Sequence, residues 1–505
     1  MTVSAALFAS LPATSAQAKP TGGQSDRAAN AAIERAQSIF AGGDARSERG
    51  QQPTSNDEPE SLSLALADVF AALPTLSGAE RKAAENLLAR PDGSGTGTSN
   101  DAVAWNVAAS WHRTTCGTNV CVHYVDPGSG STHAPPSASW AATTLTELQN
   151  VWTYETSTMG YRAPATDATV GGDSRFDVYL ANLGALGLYG YCAPEYRVPG
   201  QDFRASAYCV LDDDFVEFPL GPLPSLQVTA AHEFFHAVQF NYDAAEDAWI
   251  MEATATWMEE RYADPVNDNV AYIRHGQIGR PTVPLDTFGG LGHYGNWVFF
   301  ERLSQSYGVG AVRSIWSRLD ATTGAPDQYG IQAIKSFLTA SGTTLPKFYA
   351  NFAAGNLAPA KVYSEGSLYT ATKTVKNFKF KRKGQTKSVK AGVRHLTAKS
   401  YRFKSKVSGK IKFTIKGPKS KTGPAVLATI YKKSGAIKRK YIKLSGAGKG
   451  SGTVKFKTAK VSKVTLTLVN ASTRFERCYT AGTPYSCSGV PLDDNSKFAV
   501  SARLV

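Results

Sequence analysis

The sequence predicts an α+β protein, a mixed sheet-and-helix unit followed by a C-terminal antiparallel β-sandwich. Three observations predict it. Strand-like runs dominate residues 102–215, and long helical spacing dominates 225–357. Beyond about residue 365 the chain becomes a series of short alternating strands (GKIKFTIKG, GTVKFKTAK, KVTLTLVNAS) broken by Gly, Ser and Lys. The charge changes at the same place. The average of +14 conceals 33 Lys+Arg against 4 Asp+Glu from Glu365 onward, and 22 against 37 before it. At 505 residues the chain holds two or three domains, each able to bury a core.

From the start, MTVSAALFASLPATSAQA (1–18) is apolar and small and ends in Ala16-Gln17-Ala18 before Lys19. That is the form of a secretory h-region with its cleavage site, although no basic n-region precedes it. Residues 19 to about 59 are rich in Ala, Gly, Ser and Gln and read as a flexible leader. Helical spacing follows in 61–90, with Leu62, Leu64, Leu66, Val69 and Phe70, and a break at Leu73-Pro74. Ser77-Gly78-Ala79-Glu80 has the form of a capping box that opens a second helix. PDGSGTGTSND (91–101) is a linker. The 19–100 segment reads equally as a propeptide that helps folding or covers a cleft, and as a helical hairpin packed on the main domain. No stretch approaches the ~20 apolar residues that span a bilayer.

Six cysteines fall into three close pairs, Cys116/Cys121, Cys192/Cys209 and Cys478/Cys487, which suits three short-range disulfides in an oxidising compartment. With the signal-like start, this predicts a secreted protein. In 101–365 two strands are expected around residues 106–126, with Cys116 and Cys121 stapling the turn between them. A helix covers 137–160, and strands cover 175–184 and 207–215. The glycine-rich stretch between those last strands is expected as a loop held by Cys192–Cys209. Asp212, Asp213 and Asp214 form an acidic strand end that either is solvated or binds Ca2+. Helices are expected from about Ser225, around Glu252, and at 294–306, 309–319, 327–340 and 345–357.

The chemistry concentrates in TAAHEFFHAVQFNYDAAEDAWIMEATATWMEE (229–260). His232 and His236 stand one helical turn apart on one face, so both imidazoles reach one ion. Glu233 then lies beside that ion without ligating it. Two neutral nitrogens, a third ligand from elsewhere, an open position and a carboxylate base make up the donor set of a zinc hydrolase. The glycine and third histidine that metzincins place at fixed offsets are here Gln239 and Tyr242, which excludes that class. Glu252 follows His236 by sixteen residues, and Glu259 lies one heptad further on the same face. A helix–loop–helix brings Glu252 to the ion and leaves Glu259 to hydrogen-bond a ligand histidine.

W-I-M-E-A-T-A (249–255) resembles the W-L-x-E-G-x-A segment that carries the glutamate ligand in gluzincin metallopeptidases. HEFFHAVQF, WIMEATATWMEE and the LYGYC stretch together are similar to a group of secreted bacterial gluzincin-like zinc metallopeptidases, over roughly 60–365 and, in texture, the β-rich tail. The resemblance implies Zn2+ as cofactor, His232, His236 and Glu252 as its ligands, and Glu233 as the general base. The His236–Glu252 spacing is shorter than in the best-known gluzincins, and Ala253 replaces the usual glycine. Asp247 and Glu259 are the alternative third ligands. Gluzincins supply an oxyanion donor from a downstream helix, which points to Tyr294 first and His293 second.

The expected organisation is a signal peptide (1–18), a helical propeptide or leader (19–100), a metallopeptidase domain (101–365) and a Lys-rich β-sandwich (366–505). The substrate is then a protein or peptide. The basic domain suggests an anionic cell-wall polymer as a further partner. Its lysines alternate along strands with few stacking aromatics, so no specific nucleic acid is expected. The alternative is a non-catalytic wall- or polymer-binding protein with a structural zinc site. No Walker loop, G-x-S-x-G elbow or dinucleotide fingerprint occurs in a matching context.

Overall fold

The computed structural model describes residues 26–42, 61–95, 97, 100 and 102–505. The signal-like segment 1–18 lies outside them. Within the expected flexible leader stands a helix, α1 (Asp26–Phe40), which buries Ala29, Ala32, Ile33, Ala36, Ile39 and Phe40. These positions step by three and four and form one stripe. Alanines make up half of it, so the segment reads as small and weakly apolar although its periodicity is helical. α2 (Leu62–Ala72) is capped by Ser61, whose hydroxyl accepts from the Leu64 N–H. It is buried nearly all round because α1 packs on it from one side and the sheet from the other. α3 (Gly78–Leu87) starts after Ser77, as the capping-box pattern predicts, but the Ser77 side chain makes no capping bond.

The first sheet contains β1 (His112–Cys116), β2 (Val120–Val125), β3 (Phe176–Ala181), β4 (Gly190–Arg197) and β5 (Ala205–Asp212), ordered β1-β2-β3-β5-β4. β2, β3 and β5 run parallel, and the two outer strands are antiparallel. Helix α4 (Ala138–Trp152) packs on β2 and runs into a π-helical turn, Thr153–Thr158.

All three cysteine pairs, Cys116–Cys121, Cys192–Cys209 and Cys478–Cys487, are disulfides, and one of them sits differently from the sequence expectation. Cys116 and Cys121 staple the turn between β1 and β2, as expected. Cys121 is the second residue of β2, buried, and it faces Cys116, the last residue of β1, across the antiparallel ladder. The bridge therefore joins a cross-strand pair, and the turn it closes is only residues 117–119. Cys192, by contrast, is not in the expected loop: it lies in edge strand β4, directly opposite Cys209 of β5. The glycines before it allow close packing, since a Cβ at Gly190 would stand 2.9 Å from Thr229 and 3.1 Å from the Glu233 side chain.

α5 (Pro222–Asp243) lies across β4 and β5, and α6 (Ala248–Tyr262) packs on α5. α5 begins at Pro222, three residues before the expected Ser225. Proline is tolerated in the first turn because that turn's N–H groups have no intrahelical acceptor. α7 (Trp297–Tyr307), α8 (Gly310–Leu319), α9 (Gly330–Ala340) and α10 (Leu345–Gly355) complete the helical half. No helix among the described residues is long and apolar enough to cross a membrane.

The remainder is a two-sheet β structure. Its strands are β6 (Lys376–Phe380), β7 (Thr386–Val393), β8 (Thr397–Ser405), β9 (Gly409–Lys416), β10 (Pro424–Lys432), β11 (Ile437–Tyr441), β12 (Lys449–Phe456), β13 (Val461–Asn470) and β16 (Ser496–Leu504), with the short pair β14 (Phe475–Glu476) and β15 (Val490–Pro491) between the last two. One sheet is ordered β11-β10-β13-β8-β6 and the other β12-β9-β16-β7. Phe380, Phe403, Phe413, Ile415, Leu466, Phe498 and Val500 meet between them. One pairing departs from the antiparallel expectation: β6 runs parallel to β8. The outer side of the five-stranded sheet is docked on α10 through β10, β13 and β8. Leu396, Ala398, Leu427 and Val469 there join the core of the helical unit.

Candidate metal centre

The site forms where α5 crosses α6. His232 and His236 project from one face of α5, and α6 lays Glu252 against both. Glu252 Oε2 stands 3.2 Å from His232 Nε2, and its Oε1 stands 3.5 Å from His236 Nε2. A tetrahedral ion with bonds of about 2.0–2.1 Å keeps its ligand atoms about 3.4 Å apart, which these two separations bracket. One donor atom from each of the three residues falls within 4.8 Å of the others. His236 and Glu252 are fully buried, and His232 is 13% exposed at its side chain.

The outer ring atoms fix the tautomers. His232 Nδ1–H donates to Glu259 Oε1 at 2.6 Å, and His236 Nδ1–H donates to Gln239 Oε1 at 2.8 Å. Both Nε2 lone pairs are thereby aimed at Glu252. Gln239 also donates to the Met251 carbonyl and the Thr254 hydroxyl, so one side chain ties a candidate ligand on α5 to the helix that carries the third. His236 Nε2 and both Glu252 oxygens are buried without a hydrogen-bond partner among the described residues. Buried polar atoms are rarely left so, and a divalent cation at their meeting point satisfies all three.

The charges agree. Burial pushes the Glu252 carboxyl up, but the His236 and His232 rings beside it bring it down to about 2. Burial opposes a charge on His232, yet Glu252 and Glu259 raise it well above the usual imidazole range. Such a buried set of acceptor atoms has the charge and chemistry to hold a divalent cation.

Glu233 lies one residue beyond His232 and outside the convergent group. Its Oε2 accepts a 2.9 Å hydrogen bond from the Ser63 hydroxyl of α2, which in turn accepts from the Cys192 N–H at 2.9 Å. His293 and Tyr294 reach the site from a 3-10 turn, Tyr294–Asn296, that leads into α7. The Gly289 N–H donates to His293 Nδ1 at 3.2 Å, which leaves the ring proton on Nε2, and that buried atom has no partner among the described residues. Burial holds His293 down to about 4, against the pull of nearby Glu252, so the ring is a neutral donor. The Tyr294 ring centroid is 6.1 Å from that of His232.

The other candidates fall elsewhere. Asp247 accepts from the Cys487 and Gly330 N–H groups at the start of α6, and Glu259 stands on the far side of His232 from Glu252. Asp212 accepts from the backbone of Leu183, Gly184 and Phe215, which braces a turn. The acids that converge with it are Asp214 and Glu217, whereas Asp213 is outside the group. Cys116, Cys121, Cys192, Cys209, Cys478 and Cys487 are all spent in disulfides, so none offers a thiolate to a metal. Three residues at the site are not singled out as site residues by the sequence: Ser63, Gln239 and Glu155. Glu155 sits in the π-turn within electrostatic reach of His232, fully buried with both oxygens unpartnered among the described residues. Only Gln239 follows a pattern, three residues beyond His236 on the same helix.

No protein-family model matches the chain, and no curated protein matches it. Among solved structures, the pre-peptidase C-terminal domain of collagenase from Bacillus anthracis aligns over 27% of this chain and all of its own, at 9% identity and a TM-score of 0.17. A family GH115 4-O-methyl-alpha-glucuronidase with specificity for decorated arabinogalactans aligns over 56% of this chain and 38% of its own, at 7% identity and a TM-score of 0.13. Neither likeness is strong enough to bear on fold or function.

Proposed function

We propose that the chain is a secreted zinc-dependent peptidase whose ligands are His232, His236 and Glu252. The observation that carries this reading is the buried meeting of their donor atoms, all within 4.8 Å of one another, with Nδ1 of each histidine held by a separate acceptor. A structural zinc site takes four protein ligands, whereas three converge here among the described residues, which favours the enzyme over a polymer-binding protein with structural zinc.

Zinc, when bound, supplies a Lewis acid that acidifies a water and polarises a carbonyl. Glu233 takes the proton of the attacking water at its carboxylate and later returns it to the leaving amine. His293 Nε2–H donates to the oxygen on which charge develops, with the Tyr294 hydroxyl as a second donor. The protein or peptide substrate approaches along edge strand β4, where α2 lies in this form.

The N-terminal helices fit the role of a propeptide. The Ser63 hydroxyl occupies the base, and α2 covers β4 beside it. Arg90, fully buried, fastens the helical segment through a two-point pair with Glu195 (2.9 and 2.7 Å) and bonds to Asp177 and Asp167. The test is Glu233→Gln in protein freed of residues before 102. The variant should bind zinc as wild type does and lose chelator-sensitive casein cleavage. Cleavage at the wild-type rate would overturn the proposal.

A further inference from the structure

The four-stranded sheet β12-β9-β16-β7 turns one face inward, with Val389, Ile411, Phe413, Ile415, Val454, Phe498 and Val500 buried. Strand alternation sends the remaining residues outward, and the register sorts them into rows. Lys449, Lys416, Ala499 and Lys390 stand side by side across the four strands. The next row is Ser451, Thr414, Ser501 and Ser388, and the third is Thr453, Lys412, Arg503 and Thr386. Lys410 and Lys455 pair beyond it, and Lys497 stands at the other end. A row of four hydroxyls is thus bordered by rows of cations.

The face carries seven lysines, one arginine and no acid. All eight cations are exposed, and none forms an ion pair among the described residues. By contrast, Arg113, Arg175, Arg394 and Arg474 elsewhere on the chain are each paired with an aspartate. Residues of the first two rows line a concavity of about 690 Å³. Because the opposite sheet is docked on α10, this face points away from the candidate metal centre's helical unit.

We infer that this face binds an extended, base-free phosphodiester polymer, one built on a polyol or sugar with one phosphate per repeat. Successive outward rows lie about 6.7 Å apart along a strand. A repeat of six backbone bonds spans about 7 Å when extended, since three backbone bonds of any such chain span about 3.5 Å. A polymer lying along β9 therefore sets one phosphate on the Lys416 row and the next on the hydroxyls of the Thr414 row. A third then falls on the Lys412 row. Hydroxyl groups and ammonium groups are both good phosphate donors, and lysine acts as a point charge with no demand for a planar partner. A polymer of carboxylates would be matched better by arginine forks. Nucleic acid would be matched by aromatic platforms, and no aromatic side chain points outward from these rows.

The test uses the full chain and poly(glycerol phosphate) as probe, with binding measured at 50 and 300 mM NaCl. Wild type should bind, and its affinity should fall with salt as counterion release requires. Replacing Lys390, Lys412, Lys416 and Lys449 together by Gln should weaken binding by about tenfold or more and flatten the salt dependence. Replacing Lys335, Lys361, Lys373 and Lys433 by Gln gives the same net charge and should leave affinity within about twofold, because these lie off the face. Equal weakening by both sets would reduce the effect to net charge and overturn the assignment. So would absence of binding at 50 mM NaCl, or equally tight, equally lysine-dependent binding of polygalacturonate or polyuridylate. The readout is binding, so it is independent of whether the metal centre hydrolyses peptides.

Discussion

Replacement of Glu259 by Gln separates its role in positioning a ligand from a role in holding the fold together. In the native chain Glu259 Oε1 accepts from His232 Nδ1 at 2.6 Å while Glu252 lies against the same ring's Nε2. The carboxylate fixes the tautomer and makes Nε2 more basic. Loss of such an outer partner costs about 10–100-fold in metal affinity, or about 1.4–2.7 kcal/mol. Glutamine keeps the length and one acceptor oxygen and loses the charge, which places the expected loss near the lower end, about tenfold. The metal-free protein should move the other way. Burial holds the Glu259 carboxyl up to about 7, so the native side chain is costly to keep ionised there and the amide is no worse. Zinc affinity by competition with a chromophoric chelator should fall about tenfold, with the denaturation midpoint of metal-free protein unchanged or raised. An affinity within about twofold of wild type would refute the argument. So would a loss of metal-free stability large enough to account for the weaker binding.

Arg90→Met should cost about 3–5 kcal/mol in chemical denaturation, because Asp167, Asp177 and Glu195 are left buried without their cation; a loss below about 1 kcal/mol would show that water replaces the guanidinium. Glu260, held at about 8 by burial against an ordinary value of 4.5, keeps in the fold a proton that the unfolded chain releases. Stability should therefore fall as pH rises between those values, by a few kcal/mol, and Glu260→Gln should remove most of that slope in denaturant titrations at pH 5 and 8. Release of the chain before residue 102 should raise casein cleavage by roughly a hundredfold, the lower end of what a positioned general base supplies, since Ser63 no longer occupies Glu233. An unchanged rate would show that α2 does not obstruct the base.

What could be seen in the sequence follows from how local each feature is. The two site helices carry the candidate ligands and their partner Glu259 at spacings that helix geometry converts directly into a shared face, so His232, His236, Glu252 and Glu259 could be named before any coordinates. The cysteine pairs are close in sequence and lie on paired strands or in short loops, so proximity along the chain stands for proximity in space. Where each cysteine sits is less local: Cys192 belongs to a strand because of the pairing of β4 with β5, which the spacing does not reveal. Alternation after residue 375 gives strands, but not which strand lies beside which. β6 therefore pairs parallel to β8, and the cation and hydroxyl rows appear only once the register is known. Helix α1 is hidden because its buried stripe is built from alanine, which adds little apolar signal per residue. Ser63 is the extreme case. It is 170 residues from the carboxylate it meets, in a helix whose spacing shows that it is buried but not against what. The same separation gives the contact its meaning. A hydroxyl brought to Glu233 by a segment from the far end of the chain can leave without disturbing α5 and α6, whereas Gln239 and Glu259, which lie on those two helices, cannot. What holds the candidate ligands in place is therefore built into the helices that carry them, and what covers Glu233 comes from outside.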